Sequence, residues 1–454
     1  MFEELKSSEL NQQTIKSHKS IKQNQKNKYP VIERKGHSTK HETFKTTEKI
    51  SETKEEKLRI IQKTSEAEQE ISNANQKVSI SEASQDDLRN PGNNSGRNYG
   101  IDALRMLAMF MIVILHVLKQ GGVLDGARAL SPQYEAAWLL ETAAFCAVNC
   151  YGIISGYVGV DGKYRFSNIA LLWLRVVFYT LGITAIFWIF APEYVGVKQW
   201  RNAMFPVMTE QYWYFTAYFA MFFFMPMLNS ALRNLSRKTM GQMLIALIII
   251  FSVLPVIFNT DPFIIKAGYS ALWLMILYLI GGYIKKYGLF EKCRTTWLVA
   301  GYIIMALCSW GCKYIYEYLQ VENPQKIGIS RGDRMISYIS PTMLVAAICL
   351  FMIFKRLNVK EFARKIIKKY SPLSFSVYLI HAHPLIWGWI LSQLFRDYGQ
   401  LAWYIEVPAV LGTAAAIYVI CIMVDIVRES IFDVFKVRKC LQKLDRSTEK
   451  SLDK

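Results

Sequence analysis

Two ionisable side chains, Arg105 and His116, stand eleven positions apart in the apolar stretch RNYGIDALRMLAMFMIVILHVLK. On an α-helix, at about 100° per residue, eleven steps return to within roughly 20° of the starting direction and climb about 16 Å. Both groups then project from one face, half a hydrocarbon core apart in depth. Ionisable groups inside a bilayer cost several kcal/mol unless they meet partners or water. Two on one stripe therefore predict a polar path partway through the membrane. A plainer placement has the arginine snorkelling to one interface and the histidine sitting at the other. The chemistry of the pair is complementary. A guanidinium fork grips phosphate oxygens two at a time, and an imidazole, titrating near neutrality, serves as a general base.

Other polar residues fall into the same two groups. Glu141, in AAWLLETAAFCAVNCYGIISGYVGV, is expected near the level of His116, where it would fix the imidazole's tautomer or stabilise its cation. Ser155 and Tyr157 end that stretch, near the level of Arg105, and Arg175 in LLWLRVVFY joins them. Arg105, Ser155, Tyr157 and Arg175 together would suit a phosphorylated cytosolic ligand, with Gly156 letting the backbone approach it. Structural roles compete with each assignment. Arg175 could pair with an acidic neighbour or a lipid headgroup, and Glu141 could be protonated and bonded to a nearby helix.

The elements that must carry these groups are apolar runs of about 20 residues, long enough to cross a core about 30 Å thick. They predict an all-α polytopic membrane protein of ten spans, over roughly 101–118, 136–157, 169–191, 212–230, 241–258, 267–284, 297–316, 336–354, 373–395 and 403–427. The chain thus divides into a 1–97 tail, a 98–427 membrane domain and a basic 428–454 tail. Residues 1–97 contain no apolar run and are expected to be disordered, because they cannot bury enough surface to offset chain entropy. Loops after the second, fourth, sixth and eighth spans hold 16 Lys and Arg, more than the loops on the other side, and the basic C-terminal tail joins them. The positive-inside rule then puts both termini in the cytoplasm of a multi-pass plasma-membrane protein. Arg105 lies toward the cytoplasmic face and His116 toward the outer one.

A net charge of +18 could suggest a nucleic-acid partner, but its location argues otherwise. The first 99 residues hold 18 Lys and Arg against 15 Asp and Glu, and the rest of the excess sits in short loops. That is a topology signal rather than a polyanion-binding patch. The eight cysteines show neither CxxC nor zinc-ligand spacing, so no disulfide framework and no metal follow. His381 and His383, in LIHAHP, would face different sides of a continuous helix, a poor arrangement for a shared metal. A structural or cavity-lining role is expected of them. Tyr212, Trp213 and Tyr214 read as an interfacial aromatic belt, with stacking on sugar rings as a secondary role.

The combination of Asp-x-x-Arg and His116 in IDALRMLAMFMIVILH with NCYGIISGYVGV resembles the acyltransferase-3 family of integral membrane O-acyltransferases. QYWYFTAYFAMFFFMPMLNSALRN, WLMILYLIGGYIKKY and SPLSFSVYLIHAHPLIW extend the resemblance over about 98–427. It implies transfer of an acyl group, usually acetyl from cytosolic acetyl-CoA, to a hydroxyl of a surface polysaccharide or lipid-linked sugar. His116 matches the family's catalytic histidine, Arg105 its partner arginine, and Arg175 one arginine of a paired motif. The family often has a second arginine three residues earlier, where this chain has Leu172, leaving Lys163 or Arg165 to supply that contact. Whether the histidine is a general base or a transient acyl carrier is open at this level. Two other classes fit ten spans: a transporter or flippase of a lipid-linked sugar, and a membrane scaffold whose tail binds a partner.

Overall fold

The computed structural model describes residues 97–322 and 334–452. Residues 1–96 of the expected 1–97 tail, and most of the 317–335 loop, lie outside these residues. Everything described is helix, turn or irregular chain, and no strand occurs among the described residues. Seven helical stretches are long and apolar enough to cross a membrane.

The helices are α1 (Tyr99–Lys119), α2 (Pro132–Ala144), α3 (Ala147–Gly159), α4 (Phe166–Phe190), α5 (Val197–Met204), α6 (Trp213–Asn234) and α7 (Arg237–Phe258). They continue with α8 (Ala271–Tyr287), α9 (Thr295–Glu322), α10 (Pro341–Lys355), α11 (Glu361–Tyr370), α12 (Ser374–His381), α13 (Trp403–Val434) and α14 (Val437–Leu452). Local chemistry explains their starts. The Asn98 side chain accepts the Ile101 amide at 3.1 Å and Asp102 lies in the first turn of α1, both satisfying a helix N-terminus. Ser131 caps α2, whose first residue, Pro132, needs no amide partner there. α2 and α3 together form one candidate span, Pro132–Gly159, interrupted at Phe145 and Cys146. α7 passes through a π-helical segment, Ile249–Val253, just before Pro255.

Burial separates a centre from a rim. The apolar window of α1 is 67% buried against 17% for α7 and 22% for α9, so α1 is an inner helix and the other two expose apolar surface suited to lipid. α3 packs against both α1 and α8. Its approach to α8 depends on small residues. A Cβ on Gly156 would lie 1.8 Å from the Tyr278 carbonyl oxygen, and one on Gly281 would lie 2.0 Å from that of Ile153. Gly156 thus serves close helix packing, where the sequence suggested approach to a ligand.

Two differences from the expected spans bear on function. The segment 373–395 is not one helix. α12 ends at His381, Ala382 and His383 turn, and the chain resumes with Pro384 into a π-helical turn, Ile386–Ile390. Proline disfavours helical geometry at the residue before it and removes a donor, which accounts for the break. The His383 ring helps close it, accepting the Leu385 amide on Nδ1 at 3.2 Å. At the other end, α13 runs past 427 to Val434 and α14 follows. Asp425 and Arg428 are fully buried there. Arg428 grips the Asp425 carboxylate with Nε and Nη2 at 2.8 and 2.9 Å, and the Tyr179 hydroxyl of α4 donates to the same carboxylate at 2.6 Å.

Candidate active site

α1 presents Arg105 and His116 to the same interior region, as its period requires. At the Arg105 end Asp102 is the hub. Its carboxylate accepts Nη1 of Arg105 at 2.6 Å and Nε of Arg97 at 2.5 Å. Asp102 is 3% exposed while Arg105 keeps about a third of its side chain open, so the carboxylate anchors the guanidinium and leaves donors for a ligand. The Tyr151 hydroxyl of α3 donates to the Arg105 carbonyl at 2.8 Å, tying the two helices together. These residues line a cavity of about 340 Å³ that also includes Ser155, Leu172, Ser371, Pro372 and Phe375.

A second space of only about 20 Å³, room for roughly one water molecule, continues toward His116. It shares Tyr151, Tyr214 and Phe375 with the first cavity. It shares His116, Trp213, Tyr338 and Tyr378 with a third, of about 460 Å³, which holds Glu141, Lys119, Gln211 and Trp387. Two chambers and a neck of aromatic rings thus follow α1 from Arg105 to His116.

His116 meets another histidine. Its Nδ1 lies 2.7 Å from Nε2 of His381, the last residue of α12, and the Nδ1 of His381 lies 2.5 Å from the Val377 carbonyl oxygen. The Trp387 ring stands edge-on to His116 with centroids 4.4 Å apart, and the Trp387 carbonyl accepts the Gln120 side-chain amide at 2.9 Å. The π-helical turn after the break therefore walls the imidazole in.

The remaining residues singled out by sequence are divided. Ser155 lines the Arg105 chamber, its hydroxyl donating to the Tyr151 carbonyl at 2.8 Å. Glu141, 3% exposed, lines the His116 chamber. Tyr157 lines neither chamber; its ring lies under the Lys285 and Lys355 ammonium groups at 4.9 and 5.5 Å. Arg175 stands behind the wall, donating Nη1 to the Pro372 carbonyl at 3.1 Å, while Pro372 and Leu172 face the chamber. Lys163 and Arg165 are exposed ahead of α4 and line none of the three spaces. Sequence reasoning expected a structural or cavity-lining role of His381 without its bond to His116, and it missed Trp387 and the Tyr151–Tyr214–Phe375 neck. Pro384 was the available signal for Trp387, since it interrupts the continuous helix assumed over 373–395. Among the described residues no group of three or more His, Cys, Asp or Glu could hold a metal ion.

Comparison with known families gives one finding. A family model described as an acyltransferase domain matches residues 98–428, essentially the whole helical assembly from the Asn98 cap to Arg428. No curated protein and no solved structure matches the chain.

Proposed function

The chain belongs to the acyltransferase-3 family and is a membrane acyltransferase, and we propose from that premise that it carries an acyl group, acetyl first, from cytosolic acyl-CoA to a hydroxyl of a surface polysaccharide or lipid-linked sugar. One observation carries this reading: the row of chamber, neck and chamber that runs from Arg105 to His116. Arg105 and Arg97 bind the phosphates of the donor in the basic chamber, with Asp102 holding both guanidinium groups in place. The thioester end enters the neck, where Tyr151, Tyr214 and Phe375 turn aside to admit it and exclude water around it. The acceptor occupies the far chamber, whose Trp213, Tyr338 and Trp387 offer aromatic faces of the kind that stack on sugar rings.

His116 then acts as general base. It takes the proton of the acceptor hydroxyl as that oxygen bonds to the thioester carbonyl carbon; the carbon–sulfur bond breaks, and the proton passes to the departing thiolate. A sugar hydroxyl is a weak nucleophile at neutral pH, which is why a base at the attack point is needed. Glu141, across the same chamber, orients the imidazole or the acceptor. The charge asymmetry of the loops supports a plasma-membrane orientation with both termini and the Arg105 chamber cytoplasmic. Membranes containing the protein should incorporate label from acetyl-CoA into a glycan or lipid-linked sugar, and His116→Ala membranes with equal protein should not. Equal labelling by both would refute the proposal.

A further inference from the structure

The contact between His116 and His381 determines which ring nitrogen does what. A carbonyl oxygen only accepts, so the 2.5 Å approach of His381 Nδ1 to the Val377 carbonyl puts a proton on Nδ1. In the neutral ring the lone pair is then on Nε2. That Nε2 faces Nδ1 of His116 at 2.7 Å, and two lone pairs cannot bond, so His116 Nδ1 carries the proton between them. The lone pair of His116 is thereby left on Nε2.

The geometry points to His381 as the positioning residue of the reaction, completing a relay in which the Val377 carbonyl, His381 and His116 hold each other in one tautomer and present His116 Nε2 as the base. This deepens the acyltransferase reading and rests on it. Regular helix sets the relay, since Val377 and His381 stand four residues apart on α12, and the turn after His381 brings Trp387 edge-on to His116. His381 is 2% exposed, and its ring is tilted 52° to that of His116 with centroids 4.9 Å apart. The other charged groups lining the chamber are Glu141 on α2, Lys119 on α1 and Glu210 ahead of α6, beside the phenols of Tyr269, Tyr338 and Tyr378.

His381 occupies the position that a carboxylate holds in a Ser-His-Asp triad. When His116 Nε2 takes the hydroxyl proton and the oxygen bonds to the acyl carbon, the ring becomes a cation, and its Nδ1–H already points at the His381 lone pair. Breakage of the carbon–sulfur bond sends an electron pair to sulfur, His116 returns the Nε2 proton to that thiolate, and His381 ends the cycle with the proton it began with. A neutral ring does this without a second buried charge, which inside a membrane is expensive.

Two substitutions separate hydrogen bonding from packing. His381→Gln keeps an acceptor, its Oε1, for His116 Nδ1–H, and His381→Leu fills the space without one. His381→Leu should lose about 10²–10⁴-fold in kcat, the contribution of a correctly presented general base, with the KM for acyl-CoA unchanged. His381→Gln should recover to within about 10-fold of wild type. Equal loss in both variants would overturn the relay in favour of a packing role. Nitrogen-15 NMR of protein labelled in histidine reads the tautomers without any turnover. Protonated Nδ1 on both His116 and His381 is the expected result, and a proton on His116 Nε2 in its place would overturn the inference. Protonated Nδ1 on both rings in a protein that transfers no acyl group would remove the acyltransferase chemistry and leave the relay standing.

Discussion

The two ends of α1 bury an ionisable side chain in opposite ways. At the Arg105 end charge meets charge: Arg97, Asp102 and Arg105 form a chain with one anion between two cations, opening into a chamber of about 340 Å³. At the His116 end ring meets ring: His116 bonds to His381, and Trp387 closes in edge-on. The first arrangement leaves a fixed excess of positive charge beside water, which suits holding a polyanion. The second sets the imidazole against two rings, His381 and Trp387, and keeps a lone pair available, which suits moving a proton. Binding and chemistry are thus separated along one helix by a narrow aromatic neck, and substitutions at the two ends should act on different kinetic constants.

The largest effect is expected at the ring end. His116→Ala should reduce kcat by about 10²–10⁴-fold while leaving the acyl-CoA KM near wild type, and steady-state kinetics on purified protein measures both; a change confined to KM would erase the contrast. Arg105→Lys should show the reverse split. Lysine keeps the charge and loses the fork that Asp102 orients, so the donor KM should rise by about 10-fold or more, in line with the roughly 1.5–3 kcal/mol of a hydrogen bond to a charged group. A fall in kcat with KM preserved would put Arg105 in the chemical step. Arg175→Lys should have a smaller effect on donor KM, about 2–3-fold, because Arg175 supports the Pro372 carbonyl from behind the chamber wall. An effect as large as that of Arg105→Lys would mean that its guanidinium reaches the donor directly. Ser155→Ala should change least. Its hydroxyl already donates to the Tyr151 carbonyl of its own helix, so the loss of about 0.5–1.5 kcal/mol falls on helix stability and leaves the donor KM near wild type.

The contrast between the ends was legible in part. Helical period and the cost of buried charge were enough to put Arg105 and His116 on one face and to anticipate a polar path between them. Hydropathy found helical segments throughout, and seven of them meet the length and composition of a span. What escaped was everything set by a departure from regular helix. His381 and His383 were read on a continuous helix, where they diverge; His381 stays on regular helix and meets His116, while the break before Pro384 leaves His383 to accept a backbone amide and brings Trp387 onto His116. Ser155, Gly156 and Tyr157 were read as one binding turn because they are adjacent in sequence. In the fold they separate: Ser155 faces the chamber, Gly156 lies against the α8 backbone, and Tyr157 lies under two lysines. Adjacent helical residues point about 100° apart, so a three-residue motif on a helix seldom serves a single ligand. Arg175 shows the same limit from another side, since nothing in its own span reveals the 3-10 turn around Pro372 that stands between it and the chamber.

The central claim is that the acyl group travels from the Arg105 chamber through the neck to His116, and donor sidedness tests it most directly. In sealed proteoliposomes of one orientation, labelled acetyl-CoA, which does not cross the bilayer, is supplied on only one side and the acceptor on only the other. Acceptor should become labelled when the donor is on the Arg105 side and the acceptor on the His116 side, and should remain unlabelled when the two are exchanged. Transfer only in the exchanged arrangement, or only when donor and acceptor share a side, would contradict the account.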